Sequence, residues 1–564
     1  MLDIPAPGPA PGRRRWAVSA LSLYLAMSLI IVDHGESLTG MIVGQGDDPM
    51  AFIWFVAWWP FALSHWLNAL HTSLIWQPLG VYLPWVASMP LVSLAFAPVT
   101  WLGGPILSYN LIMLLAPVSS AWLMYFLCRR IARAPYHAII GGYLFGFSAY
   151  EMAQDTAAPN LSMTLLVPAL LLVVLKRLDG ELSRCGIILD GGLLLIAQFY
   201  ISTEVFAMIF VFGGIAWALG LLYLPDRRPA LFRLFWDGLF AGPFVVICVS
   251  PFLLTMVRHP GYVNLPALWP YYFTADIVNV VVPTPLNAVG GDLFGFISKH
   301  FHKDLQEHGA YIGLPGVIIV YLFARGDAVR PVCRLLVVLF CLFLIASLGP
   351  HLTIAGLYTS FVLPWNIFVF LPLIGSALPA RFAMFVSLTL SLIVVLWLSD
   401  AVTKRDHRLR LALVAAALLA LMPPLHPWET APHARFFQPG VVQAALGAKA
   451  RLLVLPFAIN GPSSFWQEEA GFSFDQTGGY LGFPPAAMQR FPAVQELFNN
   501  VQGPDFLTDL REFCQQTATQ YVVAGPGTSD SMMAALDRLD WPQRRIDDVT
   551  VYSVPASLGG PADR

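Results

Sequence analysis

The sequence predicts an α-helical polytopic membrane protein with an α/β domain at its C-terminal end. Three observations carry that expectation. Of the 564 residues, 57% are hydrophobic and only 12% are charged, a balance that a water-soluble fold does not need. Apolar stretches long enough to cross a bilayer recur through the first 424 residues. Beyond about residue 425, Gly, Pro and polar residues alternate with short apolar runs. A net charge of -2 argues against a nucleic-acid binder.

The path of the chain follows from span length and from the enrichment of Lys and Arg in short cytoplasmic loops. Arg13, Arg14 and Arg15 precede the first apolar run, Trp16 to Val32, and pin its start to the cytoplasm. Asp33, His34, Gly35 and Glu36 follow with no small-residue cleavage pattern, so the run reads as a retained anchor. Spans are expected near 16–32, 106–127, 136–150, 161–175, 186–203, 205–224, 234–256, 309–324, 332–349, 382–399 and 409–424. That is 11 crossings, with the N-terminus inside and the C-terminus outside. In this layout cytoplasmic segments hold 19 cations, whereas outward loops before residue 425 hold only Arg258, Lys299, Lys303 and Arg381. The six cysteines suggest neither a disulfide framework nor a zinc site.

Two stretches, 51–70 and 86–101, are read as helices lying along the outer membrane surface. The first carries Trp54, Trp58, Trp59 and Trp66 around Pro60, an aromatic density suited to the water–lipid boundary. The run 352–374, broken by Pro364 and Pro372, is read in the same way and is not counted as a span. Residues 1–424 therefore form a transmembrane domain, and 425–564 an extracytoplasmic α/β domain. Within the latter, Leu452 to Phe457 and Tyr521 to Ala524 read as buried strands, and Leu507 to Thr517 and Ser531 to Leu539 as helices.

The residues suited to chemistry cluster on the outward side. Gly44-Gln45-Gly46-Asp47-Asp48-Pro49 places two carboxylates between flexible glycines and a proline that opens a helix. A helix cap needs only one Asp; general-base or ligand-binding use accounts for the second. Asp155 and Glu204 sit in short outward turns, either as solvated turn residues or as partners of that pair. The loop 257–308 holds Arg258, Lys299, His300, His302, Lys303, Glu307 and His308. His300-Phe301-His302 lacks the helical spacing of a ligand pair, so a phosphate-binding loop fits better than a metal centre. Arg381, in Leu378-Pro379-Ala380-Arg381-Phe382, either snorkels to head groups or meets a phosphate. No glycine-rich nucleotide loop, Gly-x-Ser-x-Gly elbow or His-Glu-x-x-His motif occurs in the outward segments.

This pattern of an acid-bearing first outward loop (Asp47-Asp48), a second acid-bearing turn (Asp155), an outward Arg381 before a late span and a C-terminal outward domain resembles the GT-C class of integral-membrane glycosyltransferases. The resemblance spans the chain in architecture and rests on short motifs. It implies a hexosyl- or pentosyltransferase of the inner (cytoplasmic) membrane that takes a sugar from a polyprenyl-phosphate carrier. The acceptor would be a glycan, lipid or protein on the periplasmic or outer face, among membrane lipids. It implies Asp47 as general base with Asp48 as the alternative. Asp155, Glu204 and Glu307 would lie near the acceptor or behind the reacting groups, and Arg381, Arg258, Lys299, Lys303 and His300 would face the donor phosphate. No cofactor is expected. The best-known members' Asp-x-Asp metal motif is missing, so a divalent metal stays open but unsupported. The alternative class is a transporter or lipid-linked-sugar flippase; the nearly charge-free spans count against it.

Overall fold

The computed structural model describes residues 13–263, 268–301, 305–326, 330–370, 375 and 377–555. Lys303 and His302 lie outside the described residues. The fold is mostly helical. Among the described residues, seven segments are long and apolar enough to cross a membrane: Arg14–Asp33, Ala97–Ile131, Pro159–Leu178, Arg184–Ile201, Thr203–Tyr223, Pro225–Arg258 and Pro379–Ser399. Each contains or overlaps an expected span. The other four expected spans coincide with shorter helices, Pro135–Gly146, Gly313–Gly326, Pro331–Ser347 and Lys404–Ala420.

Local chemistry explains where the helices depart from the expected bounds. The expected span 136–150 ends early because Ser148 takes extended backbone and its hydroxyl accepts from the Glu151 N–H, which starts a new short helix, Ala149–Gln154. The expected surface helix 86–101 is divided: Pro90–Ala95 forms a short helix, and a second begins at Ala97 and is broken at Gly104, whose φ is +86°, before the chain runs on as a helix to Ile131. In place of a helix, His351–Ile354 and Leu357–Val362 pair as an antiparallel hairpin, consistent with leaving 352–374 out of the spans.

The chain divides into two compact units. The first comprises Met1–Glu36, Asn110–Val249 and Pro266–Pro427; the second comprises Ser37–Tyr109, Ser250–Leu265 and Trp428–Arg564. The first loop therefore clusters with the segment that begins at Trp428. In the first unit the core helix is Ala383–Ser399, buried along its whole length. Its neighbours include the Pro331–Ser347 and Pro135–Gly146 helices.

In the second unit a five-stranded sheet runs in the order 543–546, 549–553, 521–524, 451–455, 475–476. Strands Arg451–Leu455 and Tyr521–Ala524 are parallel neighbours, and the helices Phe506–Gln516 and Asp530–Asp537 follow within a residue or two of their expected positions. A small antiparallel pair joins Met41–Val43 to Trp428–Thr430, so the strand just before the acid pair is hydrogen-bonded to the start of the C-terminal segment.

The Trp-rich helix Asp48–Ser64 corrects the picture of a helix open to lipid, since 13 of its 17 residues are buried. Trp54 and Trp58 stack at 5.2 Å, and both meet Phe472 edge-on at 5.5 and 5.9 Å. The Trp54 indole donates to Gln467 Oε1 at 3.0 Å. Such aromatic pairs contribute about 0.5–1.5 kcal/mol beyond their burial, which anchors the helix that starts at the acid pair.

Candidate functional sites

The second unit contains the acid pair. Strand Met41–Val43 delivers the chain to Gly44 and Gly46, whose φ angles of +102° and +84° lie in the region open to glycine. Asp47 then occupies the cap position of the Asp48–Ser64 helix, and Pro49 sits in its first turn. The capping reading fails for Asp47, whose side chain makes no cap hydrogen bond. Asp48 differs: its Oδ1 accepts from the Tyr480 hydroxyl at 2.7 Å. Tyr480 is fixed by Ser464, whose hydroxyl donates to the Tyr480 carbonyl at 2.6 Å and accepts from its N–H at 3.1 Å.

Both aspartates are half-buried. Burial, then the Asp48 carboxylate and then Glu429, pushes the Asp47 carboxyl up to about 7. Two acids this close do not ionise independently. The pair thus holds one group anchored by a hydroxyl and one poised to gain or lose a proton near neutrality.

Arg258 and His259 also belong to this unit. His259 stacks on Tyr82 at 3.8 Å between ring centroids, and Arg258 is exposed at the C-terminal end of its helix.

The first unit contains a second charged group. Arg381 donates from Nη1 to Glu204 Oε2 at 2.6 Å, and from Nε and Nη2 to Glu307 Oε1 at 3.0 and 2.9 Å. The Glu307 side chain is 4% exposed and that of Glu204 29%. Arg381 therefore neither snorkels freely nor stands as a bare cation. Two carboxylates around one guanidinium leave this trio with a formal charge of -1. Lys299 and His300 are exposed in the same unit.

Asp155 is not a solvated turn residue. It is 0% exposed, and its Oδ2 lies 3.3 Å from His426 Nε2, an ion pair when the imidazole is protonated. Burial outweighs the imidazole and pushes the Asp155 carboxyl up to about 6. Nearby in sequence, Glu151 is buried with its Oε2 2.9 Å from Thr164 Oγ1, and Gln154 Nε2 donates to the Gln306 carbonyl at 2.9 Å.

Sequence reasoning missed Tyr480, Glu429 and His426. Each comes from the 426–480 stretch, far along the chain from the acid it meets, and no local spacing signals such a pairing.

No family model matches the sequence, and no curated protein matches it. Solved structures do. Over 97% of its length the chain superposes on the arabinofuranosyltransferase AftD from Mycobacteria with a TM-score of 0.62 at 15% identity. It spans 42% of the length of that protein. Lower TM-scores of 0.44 and 0.42, both at 11% identity, relate it to ArnT from Cupriavidus metallidurans bound to undecaprenyl phosphate and to the Archaeoglobus fulgidus oligosaccharyltransferase. These cover 98% and 93% of this chain, and 100% and 71% of the other. Of these three matches, that to AftD shows the fold. The fold of this chain is thus similar to that of AftD, with seven segments among the described residues long and apolar enough to cross a membrane.

Proposed function

We propose that the chain is a membrane glycosyltransferase that moves a sugar from a polyprenyl-phosphate carrier to a glycan, lipid or protein acceptor, with Asp47 as general base. The observation that carries the reading is the asymmetry of the acid pair. Asp48 is held by Tyr480, while Asp47 has no side-chain cap bond and is pushed up to about 7. A base is most effective when it titrates near the working pH.

In the proposed step the acceptor oxygen attacks the anomeric carbon as its proton passes to the Asp47 carboxylate. The bond from that carbon to the lipid-phosphate oxygen breaks, and its electron pair leaves with the phosphate. Cations would stabilise the departing charge. Arg258, Lys299 and His300 are exposed and unspent on the carboxylates of the Arg381 trio; Lys303 remains with them as a sequence expectation. Arg381 would meet phosphate only by giving up Glu204, its more exposed partner.

The layout proposed with this reaction has 11 crossings, a cytoplasmic N-terminus, and the acid pair and residues 425–564 on the periplasmic side. The 19-to-4 distribution of cations supports it. Asp155 and Glu307 serve best as residues that support neighbouring groups, being buried.

The test is to supply purified full-length protein in lipid vesicles with polyprenyl-phosphate sugars labelled in the sugar. Label appearing on a soluble glycan acceptor supports a transferase. Label crossing the vesicle membrane while still joined to its lipid, with none transferred, would establish the flippase alternative.

A further inference from the structure

The two aspartates of the first loop have unequal surroundings, and the inequality comes from residues far along the chain, among them Tyr480, 432 positions from Asp48. Asp48 stands in the first turn of the Asp48–Ser64 helix, where unpaired N–H groups favour a negative charge. It also receives the Tyr480 hydroxyl at 2.7 Å. The Ser464 hydroxyl bonds both the carbonyl and the N–H of Tyr480, which holds the backbone that carries the ring. Asp47 precedes the helix and makes no cap bond. The groups facing it are Asp48 on the helix and Glu429 on the Trp428–Thr430 strand, both acids.

We propose that Tyr480 is a positioning residue that keeps the negative charge of the pair on Asp48 and thereby makes Asp47 the member that gains and loses the proton. A hydroxyl donated to a carboxylate favours the ionised form of that carboxylate. The remaining proton then belongs to Asp47, which stays protonated until the pH passes its own titration. The C-terminal segment thus chooses which aspartate of the first loop is available as a base. This rests on the reading of the pair as the base, but the proton distribution is measurable without turnover.

The experiment follows the protonated-carboxyl infrared band of the full-length protein in lipid nanodiscs as pH is raised, with Asp47→Asn and Asp48→Asn assigning the signals. In the parent protein the Asp47 band should disappear near pH 7. Tyr480→Phe keeps the ring and removes the hydroxyl. Asp48 then carries the charge less firmly and repels Asp47 less, so Asp47 should lose its proton at lower pH. The expected shift is about one unit, the size of one charge-assisted hydrogen bond, with a broader transition as the two acids share the proton.

Because Tyr480 acts through Asp48, adding Tyr480→Phe to Asp48→Asn should move the Asp47 titration no further. An unchanged Asp47 titration in Tyr480→Phe, or an equal shift with and without Asp48, would overturn the proposal. The catalytic reading fails separately: full transfer activity in Asp47→Asn alongside a Tyr480-dependent titration would remove the base assignment and leave the proton assignment standing.

Discussion

One oxygen of Glu307 accepts two hydrogen bonds from the Arg381 guanidinium, from Nε at 3.0 Å and Nη2 at 2.9 Å, while Nη1 is held by Glu204 at 2.6 Å. The two carboxylates are not equivalent, because Glu307 is buried and Glu204 is partly open. Removing the cation strands the buried acid, whereas removing the open acid frees one face of the cation.

Arg381→Ala should therefore destabilise the protein by about 3–5 kcal/mol, the typical cost of leaving one partner of a buried pair unmatched. Arg381→Ala combined with Glu307→Gln should recover much of that loss. Thermal unfolding of the detergent-solubilised protein checks both. Glu204→Gln should cost about 1 kcal/mol or less, since its carboxylate is partly solvated. If Arg381 receives the donor phosphate, this variant should also lower the apparent KM for the lipid-linked sugar; an unchanged or higher KM would assign the phosphate to Arg258 or the Lys299 loop.

Asp155 and His426 give a pH dependence of stability with a definite sign. The folded-state carboxyl is raised from 3.8 to about 6. Between those values the folded state holds a proton that the unfolded chain has released, so stability from this group is present at low pH and lost as pH rises through about 6. Asp155→Asn should flatten that part of the unfolding-temperature curve. His426→Ala should steepen the loss above pH 6, because it removes the imidazole and leaves the acid buried.

The proposed layout is open to cysteine labelling at exposed positions. Gln45→Cys, His300→Cys and Asn500→Cys should react with an impermeant reagent from the outer face of sealed cells, and Gly180→Cys and Arg405→Cys should not. Reaction at position 405 from outside would invert the layout. Asp155 is unsuitable as a probe, being fully buried.

The helical framework was legible because it is written locally: the seven long apolar segments follow from mostly apolar runs and flanking cations. Asp47 and Asp48 were legible too, since two glycines and Pro49 surround them. What stayed hidden is long-range pairing. Trp54 and Trp58 read as lipid-boundary residues because sequence shows their aromaticity and not Phe472, the ring that covers them. The same holds for Arg381, which the sequence places at the start of a late span but whose partners lie 177 and 74 residues away. Turn residues such as Asp155 look solvated in sequence, and burial by His426 depends on a segment after the last predicted span.

The most direct measurement of the central claim is the pH dependence of sugar transfer in the parent protein and in Asp47→Asn. In the parent, transfer should rise with pH through about 7 as Asp47 loses its proton. Asp47→Asn is close to isosteric and should remain folded, but should lose the rise and about 100- to 10,000-fold of the rate, the range of general-base catalysis. Parent-like turnover and the same rise near pH 7 in Asp47→Asn would contradict the account.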